Sequence, residues 1–108
     1  MRHERFPVEG ERIRAGAPRA RLSLLCEVRH GSRGWQLARL TDLSATGFRL
    51  EWLHEYDPAQ PLRVRIQGTE LKTARICWRE GRQIGFEFVG PLEAAVLEHL
   101  VRLAGGRE

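Results

Sequence analysis

Leu22-Ser23-Leu24-Leu25-Cys26-Glu27-Val28-Arg29, then His30-Gly31-Ser32-Arg33-Gly34, then Trp35-Gln36-Leu37-Ala38-Arg39-Leu40-Thr41 is the stretch that decides the fold. In its first part Leu22, Leu24, Cys26 and Val28 recur every second residue, the period of a strand with one buried face. The glycine-rich middle reads as a hairpin loop, and the third part as the returning strand. Outward from this hairpin the pattern continues. Asp42-Leu43-Ser44-Ala45-Thr46-Gly47 reads as a turn, because Asp, Ser and Gly bend and cap backbone. Phe48-Arg49-Leu50-Glu51-Trp52 alternates again, and His54 to Pro61 is a polar loop. Leu62-Arg63-Val64-Arg65-Ile66 is a strand that turns at Gly68-Thr69. Leu71 to Trp78 follows, with Ala74, Ile76 and Trp78 on one face. Glu80-Gly81-Arg82 is a tight turn into Ile84-Gly85-Phe86-Glu87-Phe88.

After Gly90-Pro91 the period lengthens. Leu92, Val96, Leu100 and Leu103 fall at helical spacing beside Leu97 and Val101, which predicts one amphipathic helix over 92–104. Pro91 and Glu93 suit its first turn, Arg102 suits its last, and Gly105-Gly106 stops it. Upstream, residues 1–20 carry Pro7, Gly10, Gly16 and Pro18 without apolar periodicity, and read as an extended, flexible arm. The expected fold is therefore mainly β. It is one domain over 21–104, a small six-stranded antiparallel barrel with an N-terminal arm and a C-terminal helix. Closure removes exposed strand edges. The helix stripe would plug one opening or pack on the barrel wall, and a homodimer through it stays open.

Length and charge narrow the function. A chain of 108 residues holds one modest core, which excludes a two-domain enzyme and disfavours any large enclosed active site. No apolar run approaches the ~20 residues of a membrane span, and Met1-Arg2-His3-Glu4-Arg5, with no apolar stretch behind it, is not expected to open a signal peptide. Cys26 and Cys77 are too few for a disulfide framework and read as buried free thiols, so the expected compartment is a reducing cytoplasm. His3, His30, His54 and His99 lack metal-ligand spacing, so no metal site is expected. Trp35, Trp52 and Trp78 are expected to pack the barrel or its rim, with stacking of one of them on a base left open. No nucleophile–base pair stands out, which points away from an enzyme. Residues 1–40 hold nine arginines against four glutamates, a net +5, while residues 41–108 sum to −1. An arginine excess confined to one region suits a small anionic ligand better than long nucleic acid, because the planar guanidinium meets phosphate or stacks on a base.

Asp42-x-Ser44-x-x-Gly47 between two strands resembles the D/N-x-S-x-x-G signature of PilZ domains, bacterial receptors for cyclic di-GMP. The arginine-rich arm before the first strand, the closing hairpin Ile76-Cys77-Trp78-Arg79 … Ile84-Gly85-Phe86-Glu87-Phe88, and the terminal helix resemble that family in the same order, over roughly residues 12–103. The resemblance implies the family's split β-barrel and a non-catalytic receptor with cyclic di-GMP as ligand and no cofactor. It also implies an arm that orders over the ligand, and a protein effector acting in motility, exopolysaccharide or adhesion. The chemistry suits the residues. Guanine offers O6 and N7 acceptors to arginine. Its N1–H and N2–H₂ donors suit the Asp42 carboxylate. Ser44 can donate to a phosphate or hold the turn, and Gly47 can adopt positive φ and admit close approach to the backbone. The family's R-x-x-x-R motif is not matched, since no two arginines of the arm are four apart. The nearest match is Arg14-Ala15-Gly16-Ala17-Pro18-Arg19, one residue longer, which carries Arg14 and Arg19 over as the ligand arginines. Arg21 or Arg12 takes a place if the register shifts. The alternative is a degenerate PilZ-like module that binds a protein and no nucleotide.

Overall fold

The computed structural model describes residues 3–5, 19–52 and 55–105. Among the described residues, seven strands and one helix follow in order: β1 (His3–Arg5), β2 (Arg19–His30), β3 (Gln36–Ser44), β4 (Gly47–Glu51), β5 (Leu62–Arg65), β6 (Lys72–Glu80), β7 (Gln83–Phe88) and α1 (Ala94–Leu103). Neighbours run β6-β5-β2-β3-β4-β7, and β7 pairs back onto β6. All pairs are antiparallel, so the ring is the closed six-stranded barrel expected from the alternation. β1 lies outside the ring. β5 covers only Lys72–Ala74 of β6, and β1 pairs with the upper part of that strand, Arg5 opposite Trp78. The start of the arm is thus a strand, because a bare β6 edge would leave backbone groups unpaired. Of the rest of the expected arm, residues 1–2 and 6–18 lie outside the described residues, and Arg19 and Ala20 already belong to β2.

The inward residues of the six strands meet in one core, including Val28, Leu40, Leu43, Leu50, Val64 and Phe86. Phe48 stacks on Phe86 at 5.2 Å between ring centroids. Leu92 and Leu100 join the same core. The Leu92 amide donates to the Ala45 carbonyl at 2.7 Å, and His99 packs over Gly68. The β3–β4 and β5–β6 turns lie at one end of the barrel, so α1 closes that end. The other end is closed by aromatic packing: His30 stacks on Tyr56 at 4.1 Å, and Trp52 meets both edge-on.

Several boundaries differ from the sequence expectation. His30 ends β2 and is buried, where a loop residue was expected. The expected turn at 42–47 shrinks to Ala45-Thr46, because β3 runs on through Ser44. The helix begins at Ala94 with Glu93 as its N-cap, so Pro91 and Glu93 precede the first turn. Pro91 sits where Leu92 is tied to the β3–β4 turn, and that tie delays helical geometry. Gly105, at φ +69°, does end the helix.

Candidate functional site

Three strand pairs carry a register shift: β2–β3 between Arg21 and Leu24, β3–β4 between Leu40 and Asp42, and β6–β7 between Ile76 and Trp78. A bulge inserts a residue and reverses which face the following side chains take. On β3, Ala38 and Leu40 point into the core. Unbroken alternation would turn Asp42 inward as well. The bulge at Thr41 hands the next core position to Leu43 and turns Asp42 outward, towards Arg49. On β6, Ala74 and Ile76 point inward, and the bulge at Cys77 takes Trp78 off that face. This corrects the expectation that Trp78 shares the face of Ala74 and Ile76.

The outcome is a lateral row across the outside of the barrel. Arg21 lies opposite Asp42, Asp42 opposite Arg49, Arg49 opposite Gly85, and Gly85 opposite Trp78. Directly paired residues of antiparallel strands share a face and lie within side-chain contact. An Arg49 guanidinium nitrogen stands 3.7 Å from the Asp42 carboxylate, and its Nε donates to Thr41 Oγ1 at 3.2 Å. Trp78 covers Gly85 so closely that a Cβ there would overlap the indole Nε1. Asp42, Ser44, Gly47, Arg49, Trp78 and Gly85 line a small cavity floored by Phe48 and Phe86. Its volume is about 20 Å³, room for about one water and no more.

Each residue expected at the site can now be placed. Asp42 is largely buried and faces Arg49. The Ser44 hydroxyl is spent on the turn: it accepts from the Thr46 and Gly47 amides at 3.3 and 3.2 Å and reaches the Gly47 carbonyl at 3.3 Å. Gly47 has no positive φ, contrary to expectation; it is extended, as the first residue of β4 opposite Glu87. Its remaining role is close approach, since it lines the cavity. Arg21 is exposed beside Asp42. Arg19 begins β2 with its backbone opposite Ser44, and Arg14 lies outside the described residues. Two residues were missed. Arg49 was legible, since Phe48-Arg49-Leu50 alternation places it outside beside Asp42. Trp78 was not, because a bulge has no sequence signal here.

The family model of the PilZ domain matches residues 13–106, nearly the whole chain. The chain belongs to the PilZ domain family. A search of curated proteins found no match. PilZ domains form a family of cyclic di-GMP receptors and are generally non-catalytic. In this PilZ domain the D-x-S-x-x-G segment is divided in labour: Ser44 builds the turn, while Asp42, largely buried, lies against Arg49 and opposite Arg21. Among the described residues, no helix is long and apolar enough to cross a membrane, and no group of His, Cys, Asp and Glu could hold a metal ion.

Proposed function

We propose that this PilZ domain is a non-catalytic receptor for cyclic di-GMP, bound on the outer face of β2, β3, β4, β7 and β6 and covered by the arm. The reading rests on the row Arg21, Asp42, Arg49, Gly85 and Trp78. A guanine needs an acceptor for N1–H and N2–H₂, a cation for O6 and N7, and a flat surface for its ring; phosphate needs arginine. Asp42, the two arginines and the Trp78 indole supply one of each. The cavity between them holds only about one water. A nucleotide must therefore lie over the face, and the cover has to come from Arg14, Arg19 and the arm that carries them. Ordering that arm changes the surface offered to a protein effector, a population shift driven by ligand affinity.

Calorimetry of the full chain with cyclic di-GMP is the direct test. A saturable heat is expected, weakened at least tenfold, about 1.4 kcal/mol or more, in Asp42→Ala and Arg21→Ala. No heat at ligand concentrations up to about 100 µM sinks the proposal. The second reading, a module that binds a protein without nucleotide, draws on the five-residue step from Arg14 to Arg19. It expects a silent titration together with partner binding that is indifferent to cyclic di-GMP.

A further inference from the structure

The outward residues of β5, β2 and β3 form a second face, which shares no residue with the nucleotide site. Two large aliphatic side chains stand in its middle: Leu25 is 54% exposed and Leu37 is 67% exposed. Leu25 lies opposite Arg39, and Glu27 lies opposite Leu37, so the two leucines are diagonal neighbours. They border a groove of about 360 Å³ that runs to Arg65 and the β5–β6 turn. Arginines surround them. Arg29 faces Arg63 directly across the β2–β5 pair, an arrangement of like charges that is unfavourable by itself. Neither has a carboxylate within ion-pair distance among the described residues; Arg29 Nε donates to the Arg33 carbonyl at 2.8 Å, a neutral acceptor that leaves its charge uncompensated. Arg65 is held by Glu27 at 2.9 Å and covers the Trp35 ring. Arg39 lies opposite Glu51, which takes a hydrogen bond from Gln83, and donates to Ser23. Four arginines thus meet only two glutamates around an aliphatic centre.

We infer that this face docks an acidic segment of a protein partner whose aliphatic side chains cover Leu25 and Leu37. Carboxylates of the segment would separate the Arg29–Arg63 pair and meet Arg39, which removes the like-charge opposition that the free face retains. A second copy of this chain fits badly: an isologous contact would set each arginine-rich face against its own likeness. Nucleic acid would satisfy the arginines but leave the exposed leucines against phosphate and sugar. The inference does not depend on nucleotide binding.

The test pans a random linear-peptide library over the immobilised full chain and measures the selected peptides by fluorescence anisotropy. The selected peptides should be acidic and rich in Leu, Ile or Val. Leu37→Asp and Arg63→Glu should each weaken them at least tenfold, as central contacts do. Both positions are exposed, so both variants should keep the parent's melting temperature and its response to cyclic di-GMP, whatever that response is. The inference is overturned if no peptide is selected, or if the selected peptides ignore both substitutions. Sedimentation that shows a dimer dissociated by Leu37→Asp would assign the face to a second copy instead. Binding of single-stranded DNA that Arg63→Glu abolishes and Leu37→Asp leaves intact would assign it to nucleic acid.

Discussion

Gly85 is the residue on which the site's shape turns most directly. Its missing side chain is the space in which the Trp78 indole lies, and Nε1 is the atom a Cβ would strike. The indole is a rigid ring rather than the tip of a flexible chain, so it can escape only by leaving the face. Gly85→Ala should cost about 1–3 kcal/mol, read from denaturant unfolding, and should shift the tryptophan emission of the native state. A variant within about 0.5 kcal/mol of the parent, with unchanged emission, would mean that the indole does not rest there. Ser44 illustrates a different kind of residue. A hydroxyl that accepts two turn amides is structural first, and its contribution to ligand affinity is expected to run through the placement of Asp42. Cys26 acts mainly through burial. Its thiol is pushed up to about 12 from an ordinary value near 9, first by desolvation and then by the charge of Glu27. Below about pH 9 the thiol is protonated whether the chain is folded or not, and its contribution is complete. Above that the unfolded chain ionises first, so stability falls as pH rises towards about 12. The phenol of Tyr56, raised mainly by burial and further by Asp57, pulls in the same direction. Cys26→Ala should flatten this alkaline decline even if it lowers stability at neutral pH. An unchanged slope in melting temperature between about pH 9 and 10.5 would remove Cys26 from the account.

At the scale of elements, the helix and the bulges do different work. α1 is held by one stripe: Leu100 is fully buried in the barrel core, whereas Leu103 on the same helix is exposed. Leu100→Ala should therefore cost about 2–5 kcal/mol, and Leu103→Ala no more than about 0.5 kcal/mol, in the same unfolding measurement. Equal effects would mean that the helix does not close the barrel end. The helical spacing made this stripe visible in the sequence, but it could not say which end of the stripe is covered. That depends on where the Leu92–Ala45 hydrogen bond anchors the chain. The strands were likewise legible from alternation, with errors of a few residues at their ends. The extension of β3 through Ser44 was hidden because Asp and Ser signal turns locally. Here the pairing with β2, Arg21 to Asp42 and Arg19 to Ser44, overrides that preference.

For the whole molecule, closure is the organising fact. One ring of strands leaves two ends and one continuous outer wall, and the chain uses each differently. α1 closes one end, the His30–Tyr56–Trp52 packing closes the other, and the wall carries two unlike faces. Ligand binding to such a wall should raise the melting temperature in proportion to the logarithm of ligand concentration above the dissociation constant. A thermal shift with cyclic di-GMP that is absent in Asp42→Ala would tie that effect to the β3–β4 face. The sequence by itself determined the architecture, because period-2 and period-3.6 hydrophobicity report directly on which residues must leave water. It also determined the family, through an ordered set of short motifs, and the arginine bias of the first forty residues. Only the tertiary structure decided which side chains share the site. Asp42 and Trp78 face outward because single-residue bulges at Thr41 and Cys77 reverse the alternation beyond them. A bulge is settled by how two distant strands register against each other, and that is a property of the closed ring rather than of any local stretch of chain.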